Sequence, residues 1–171
     1  MHTETRTRRA AGPLLCPFTI VVDTREQKPY TFSAITADAA QGRRPVQVPT
    51  HGAALLAGDY SIQGMEQVIA VERKSKADLF STLGQGRQRF ARELDLLQCM
   101  WFAAVVVEAE WSEVVSRPPA YSSLKPVTIS RSVMAWQVRK PVVHWWFVPG
   151  REAAEQVTYR LLERFWKERQ V

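Results

Sequence analysis

Asp59, Glu72 and Lys74 are the residues whose types and spacing most clearly suggest chemistry in this chain. Asp59 follows Gly58, while Glu72 and Lys74 lie at the end of an apolar run. Carboxylates bind hard divalent cations, and such a cation neutralises phosphate oxygens and lowers the pKa of an attacking water. A nearby lysine can orient that water or, as a neutral amine, deprotonate it, and as an ammonium ion it can stabilise the charge on a pentacovalent phosphate. These residue types are therefore suited to phosphodiester hydrolysis.

Each part of this pattern is weak when it is taken alone. An Asp after a Gly is often a turn residue, and a charged segment at a strand end is usually solvated. The combination is more specific, because a β-hairpin is predicted to connect the two parts. The segment Leu55–Ile62 is predicted to lead through Gly58 into the first strand, which Asp59 opens. Gln63–Gly64 is part of the turn, and Val68–Glu72 is the return strand.

This hairpin would place the polar side chains at one end of a sheet. An antiparallel return strand brings Glu72 back to the level of Asp59. Side chains alternate along a strand, so Glu72 and Lys74 point to one side and Arg73 to the other. Asp23, at the end of an earlier β-branched run, adds a third carboxylate at a strand end. Carboxylates and an ammonium group are thus predicted to share one cleft.

The remaining hydrophobic pattern predicts an α/β fold, a mixed central sheet flanked by helices. Further strands are predicted at residues 18–22, 46–48, 103–109 and 142–148. Helices are predicted from Lys76 to about Cys99 with a break at Gly84–Gly86, at 129–138, and near the C-terminal end. We expect a single domain over residues 18–171, preceded by a flexible basic N-terminus at 1–17.

Composition narrows the classes of function. The chain has 171 residues and a net charge of +6, an excess that attracts polyphosphate but is weak evidence by itself. Its two Cys and three His residues lack the spacing of a zinc site, so any metal is expected to have oxygen ligands. There is no apolar run that could span a bilayer and no signal-peptide core. This pattern predicts an intracellular, cytoplasmic protein without a membrane partner.

Four segments resemble, in order and spacing, the ERCC4-type nuclease domain of the XPF/Mus81 family. They are Val22–Glu26 (VDTRE), Gly58–Tyr60 (GDY), Val71–Lys74 (VERK) followed by Asp78, and Gly86–Arg87 followed by Glu93. That family is a branch of the restriction-endonuclease-like PD-(D/E)xK superfamily. The likeness extends from about Thr19 to the C-terminal helix, and it is similar to the compact, stand-alone form found in bacteria and phages.

The resemblance implies roles for individual residues. Asp59 and Glu72 would bind Mg²⁺ or Mn²⁺, Asp23 would line the same site as a further catalytic residue and ligand, and Lys74 would serve catalysis. Contacts with DNA phosphates are expected from basic residues at four positions: Arg25, Arg73, Arg87 and Arg89. For Arg89, an ordinary surface ion pair with Glu93 is an equal alternative. The expected supporting residues are Glu26, Asp78 and Glu93.

The expected activity is that of a metal-dependent DNA endonuclease without a small-molecule cofactor. Flap, fork or junction DNA is the substrate type of larger relatives, which carry an additional DNA-binding module, so this preference does not transfer directly. Two alternatives stay open: a non-catalytic DNA-binding or scaffold module of the same fold, and a nuclease acting on RNA, since phosphate contacts carry little information about the sugar. A role in DNA repair or recombination and a homodimer are further expectations.

Overall fold

A six-stranded mixed sheet forms the centre of the computed structural model, which describes residues 12–170. The strands are β1 (Leu14–Leu15), β2 (Ile20–Asp23), β3 (Val46–Gln47), β4 (Thr50–Ala53), β5 (Tyr60–Ile62), β6 (Ile69–Lys74), β7 (Phe102–Val107) and β8 (Val143–Phe147). The helices are α1 (Lys76–Leu83), α2 (Arg87–Leu97), α3 (Trp111–Ser116), α4 (Pro126–Arg139) and α5 (Gly150–Glu168).

The order of strands in the sheet is β4-β2-β5-β6-β7-β8. β5 is antiparallel to both of its neighbours, whereas the β2–β4, β6–β7 and β7–β8 pairs are parallel. β1 and β3 form a separate parallel pair. The predicted mixed sheet flanked by helices is confirmed, and it is a restriction-endonuclease-like arrangement.

The predicted hairpin is formed by β5 and β6. Tyr60 pairs with Val71, and the amide of Asp59 donates to the Val71 carbonyl at 2.9 Å, which holds Asp59 beside β6. Gly58 leads into β5 with a φ of +78°, and a Cβ there would lie 2.9 Å from the Cβ of Ala70. A glycine is required at this position, because an L side chain has neither the conformation nor the space.

Helices cover both faces of the sheet, and alternate residues of β6 face opposite ways. Val71 belongs to the core that packs under α5, while Ala70 belongs to the core under α1, α2 and α4. Glu72 and Lys74 are in phase with Ala70, so they project toward α1 and α2. Arg73 is in phase with Val71 and projects toward α5.

The α1–α2 corner follows from local sequence. Ser75 caps α1, since its hydroxyl accepts a hydrogen bond from the Asp78 amide at 3.1 Å. The predicted glycine break is confirmed: Gly84 ends α1, and Gly86 lies so close to it that an added Cβ would be 3.1 Å from the Cα of Thr82. The second helix can therefore start directly against the first.

Three features differ from the sequence-based expectation. β4 and α3 were not predicted. β4 is a largely exposed strand without apolar alternation, and α3 has only six residues. Part of the segment expected to be a flexible N-terminus belongs to the fold: Leu14–Leu15 forms β1, and Cys16 is buried. Residues 1–11 of that predicted segment lie outside the described part of the chain. Among the helices within residues 12–170, none combines the length and apolar character needed to cross a bilayer.

Candidate active site

Asp59, Glu72 and Lys74 line one cavity of about 300 Å³ at the end of the hairpin. The sheet forms one wall of this cavity, and α1 and α2 form the other. The remaining lining residues are Asp23, Arg25, Gly58, Thr82, Arg89, Phe90 and Glu93. A second depression, about 410 Å³ in volume, adjoins it on the other side of the same three residues. The structure therefore brings together the trio that the sequence singled out.

The carboxyl groups of Asp59 and Glu72 both have raised pKa values. Burial raises the pKa of Asp59 to about 8, and the Glu72 carboxylate adds to that rise. Burial also raises the pKa of Glu72, although Lys74 acts in the opposite direction. One Asp59 oxygen accepts a hydrogen bond from the Arg73 amide at 2.7 Å, which fixes the side chain. Groups of this kind in a cleft are typical of functional sites.

Lys74 is held between a carboxylate and an aromatic ring. Its Nζ donates to Glu72 Oε1 and lies 4.7 Å from the centre of the Phe90 ring. Burial lowers the pKa of Lys74, but the attraction of Glu72 and other acidic groups outweighs it, and the pKa lies above its usual value. A protonated Lys74 in this position can donate a hydrogen bond to a water or to a phosphate oxygen.

A divalent cation fits the donors that the cavity offers. Asp59 and Glu72 are two carboxylates at one wall, and Mg²⁺ typically uses one or two carboxylates together with water and substrate oxygens. Within residues 12–170, no group of three or more His, Cys, Asp and Glu side chains is arranged to hold a metal ion. The donor set is thus that of an open site that leaves most positions to water and phosphate.

Asp23 lines the cavity, but its oxygens are already engaged. Oδ1 accepts hydrogen bonds from the Arg25 amide and Nε at 2.7 and 2.8 Å, and Oδ2 accepts from Arg25 Nη2 and the Leu55 amide at 2.7 and 2.8 Å. Burial raises the pKa of Asp23, but the hydrogen bonds from Arg25 and the Leu55 amide bring it below the usual value. Asp23 therefore holds Arg25, whose side chain is 68% exposed at the rim.

The basic residues at the start of α2 have different surroundings. Arg89 lines the cavity. Arg87, which the resemblance implied as a phosphate contact, instead packs against α4: Nη1 donates to Ser132 Oγ at 2.7 Å, and Cζ lies 5.0 Å from the centre of the Trp136 ring. The alternative surface pair between Arg89 and Glu93 is not formed in the structure, and Glu93 instead accepts a hydrogen bond from the Gly58 amide at 2.8 Å.

Arg73 lies on the other face of the sheet. Its Nε and Nη2 donate to the two oxygens of Glu108 at 2.7 and 2.8 Å, and its Nη1 lies 3.5 Å from Glu26 Oε1. Both carboxylate partners are largely buried, so the guanidinium is neutralised within the protein. The structure thus gives Arg73 a structural partner in place of the expected phosphate.

The expected supporting residues fall into two groups. Glu93 contacts the Gly58 turn and lines the cavity, whereas Glu26 and Asp78 line the adjoining depression. Sequence reasoning missed Thr82, Phe90 and Glu108. In the sequence, Phe90 is one of several apolar residues at helical spacing in α2, and no signal connects Glu108 to Arg73.

The six-stranded mixed sheet with its flanking helices is a restriction-endonuclease-like fold. Among solved structures, the chain is similar to XPF from Aeropyrum pernix, with 21% identity and a TM-score of 0.62 over 86% of this chain and 64% of that one. It is also similar to XPF from Aeropyrum pernix in complex with DNA, with 18% identity and a TM-score of 0.59 over 88% of this chain and 66% of that one. The chain thus has an XPF-like fold and spans just under two thirds of these neighbours' length.

No protein-family model matches the chain, and no curated protein matches it.

Proposed function

We propose that this protein is a metal-dependent endonuclease that hydrolyses phosphodiester bonds in DNA. One observation carries the proposal: Asp59, Glu72 and Lys74 line a single cavity at the end of the β5–β6 hairpin. The buried Glu72 and the partly buried Asp59 supply carboxylate oxygens for a divalent cation, and the adjacent Lys74 ammonium supplies a positive charge for the phosphate, which together suit phosphodiester hydrolysis. The XPF-like fold supports the same reaction class, although fold alone does not establish function.

In this proposal each side chain has a separate task. Asp59 and Glu72 would hold Mg²⁺ or Mn²⁺, while the Lys74 ammonium orients the attacking water or meets the phosphate. When bound, the cation would neutralise phosphate oxygens and lower the pKa of a water. Arg89 would bind the phosphate beside the scissile bond. For Asp23, positioning Arg25 is proposed in place of metal ligation, because both of its oxygens already accept hydrogen bonds.

DNA is proposed as the substrate on two grounds. One of the structural neighbours is XPF from Aeropyrum pernix in complex with DNA. The net charge of +6 favours association with a polyanion. Flap, fork or junction DNA and a role in repair or recombination belong to the same proposal, and the predicted homodimer stays a prediction.

A cleavage assay tests the proposal directly. Labelled flap, fork, Holliday-junction and linear DNAs, and an RNA duplex, are incubated with the protein in Mg²⁺, Mn²⁺ or EDTA. We expect cleavage of DNA that EDTA abolishes. Asp59→Asn, Glu72→Gln and Lys74→Ala should each reduce the rate by about 100-fold or more, as is typical when a group that stabilises transition-state charge is removed.

Matched controls come from the exposed part of α5. Glu168→Gln and Lys167→Ala remove the same charges as Glu72→Gln and Lys74→Ala at exposed positions, and they should leave the rate unchanged. Cleavage that survives EDTA, or equal cleavage by wild type and the three site variants, contradicts the proposal. If the wild type binds DNA without cutting it, the protein is a non-catalytic DNA-binding or scaffold module. If it cuts RNA in preference to DNA, it is an RNA nuclease.

A further inference from the structure

We propose that Phe90 is a positioning residue for Lys74: the face of its ring holds the ammonium group at the cavity wall through a cation–π contact. The inference rests on the proposed function, and it names a residue of α2 that does not itself touch the reacting atoms. The geometry is direct, since Lys74 Nζ lies 4.7 Å from the ring centre. A cation within about 6 Å of an aromatic ring centre is attracted by the ring quadrupole.

The ring of Phe90 cannot easily turn away from the lysine. It is 3% exposed and meets Trp136 and Trp145 edge to face, with ring centres 5.4 and 6.1 Å away. Edge-to-face aromatic packing of this kind has a preferred geometry and adds to the burial energy. Two rings from α4 and β8 therefore fix the plane on which the ammonium rests.

Lys74 needs such a contact because little water reaches it. Its side chain is 14% exposed, and among residues 12–170 its only hydrogen-bond acceptor is Glu72. The carboxylate alone would let the flexible chain swing about one attachment point. The carboxylate and the ring together define two sides of the ammonium group, which leaves the third side for a water or a phosphate oxygen in the cavity.

The first test measures the contact itself in the metal-free protein. The ring current of Phe90 should displace the Cε proton resonance of Lys74 upfield from that of the exposed Lys167, in a protein labelled at lysine with ¹³C. The Phe90→Leu variant should lose this displacement while its other resonances stay dispersed as in a folded protein. If the Lys74 resonance does not move in this variant, the contact is absent and the inference is overturned.

The second test measures the consequence for catalysis. Replacing Phe90 by phenylalanines with one, two and three ring fluorines weakens the quadrupole while nearly preserving size. We expect kcat to fall stepwise along the series with KM nearly constant, and Phe90→Leu to lower kcat by about tenfold, the size of one cation–π contact of moderate strength. A purely structural role predicts no such graded dependence.

Phe80 supplies the matched control. It is 1% exposed in the same core as Phe90, and among the described residues no cation lies over its ring. The same fluorinated series at position 80 should leave kcat unchanged. If kcat is flat along the series at position 90, the positioning role is overturned even though the contact exists. If the wild type cuts no substrate, the proposed function fails, and the Lys74 resonance still decides whether Phe90 holds the ammonium.

Discussion

Glu108 binds the Arg73 guanidinium with both carboxylate oxygens, at 2.7 and 2.8 Å. This pair lies on the face of β6 opposite to Glu72 and Lys74. The side chains of Glu108 and Arg73 are largely buried. Glu108 also accepts hydrogen bonds from the Tyr30 hydroxyl at 3.0 Å and from Arg151 Nη1 at 3.3 Å. The end of β6 is therefore anchored to β7, to the segment after β2 and to the start of α5.

Removal of the Glu108 charge should destabilise the protein. Glu108→Gln removes the bidentate carboxylate partner of the buried Arg73 guanidinium and leaves it only the longer contact with Glu26. We expect a loss of about 3 kcal/mol in the free energy of unfolding, measured by urea denaturation at pH 7. The matched control is Glu168→Gln, which breaks an exposed i,i+4 pair with Arg164 and should cost less than about 1 kcal/mol. Equal losses in the two variants would contradict the structural role of the Arg73 pair.

The stability lost in Glu108→Gln should also depend on pH. Burial raises the pKa of Glu108, but the hydrogen bonds and charge of Arg73 outweigh it, so the folded-state pKa lies below the ordinary value of 4.5. A depressed carboxyl pKa stabilises the folded state above its unfolded pKa, and this stabilisation is lost as the pH falls through the folded pKa. The stability difference between wild type and Glu108→Gln should thus be constant above pH 5 and shrink below about pH 4. A stability difference that grows as the pH falls would contradict the lowered pKa of Glu108.

Asp59→Asn should stabilise the protein in EDTA at alkaline pH. Burial, with the Glu72 charge, raises the folded-state pKa of Asp59 to about 8, so the wild type loses stability as the pH rises from about 4 toward 8. Asparagine keeps an acceptor for the Arg73 amide and has no charge to bury. We expect a gain of about 2 kcal/mol at pH 9, read from urea denaturation. Asp38→Asn, at an exposed position, serves as the control and should show no gain.

Arg89 should contact phosphate more directly than its neighbours on α2. In an Asp59→Asn background, Arg89→Gln should reduce the slope of log binding constant against log salt concentration by about 0.9, the value for one phosphate contact. Arg92→Gln removes the same charge from a residue of α2 that does not line the cavity, and it should change the slope less. Equal slopes for the two variants would remove the phosphate role from Arg89.

Gly58 should be much less replaceable than Gly64. Both have a positive φ, but an added Cβ at Gly58 would lie 2.9 Å from Ala70 Cβ, whereas at Gly64 it would meet nothing within 4 Å. Gly64→Ala should cost about 1 kcal/mol from backbone conformation alone, and Gly58→Ala about 3 kcal/mol in thermal or urea unfolding. Similar values would mean that the turn does not approach β6 as closely as the structure shows.

The sequence predicts the parts of the site that depend on nearby residues. The hairpin that joins Asp59 to Glu72 and the common side of Glu72 and Lys74 follow from turn residues and strand alternation. The break at Gly84–Gly86 follows from composition in the same way. Such features need no knowledge of the rest of the fold.

The parts that were not predicted depend on distant packing. β4 is held by pairing with β2 and has almost no apolar pattern of its own. Which arginine of α2 faces the cavity depends on the rotation of that helix, which is set where Phe90 packs on Trp136. The Arg73–Glu108 pair joins residues 35 positions apart, and either residue alone is typical of a solvated surface.

The two walls of the cavity should also assemble at different times during folding. Asp59 and Glu72 are joined by a local hairpin, whereas the hydrogen bond from the Gly58 amide to Glu93 spans 35 positions. Contacts between residues close in sequence form with a smaller loss of chain entropy, so the carboxylate wall can form early. The wall with Arg89 and Phe90 can close only when α2 docks. We therefore expect a late step in folding to bring Arg89 and the ring beside Lys74 to the two carboxylates.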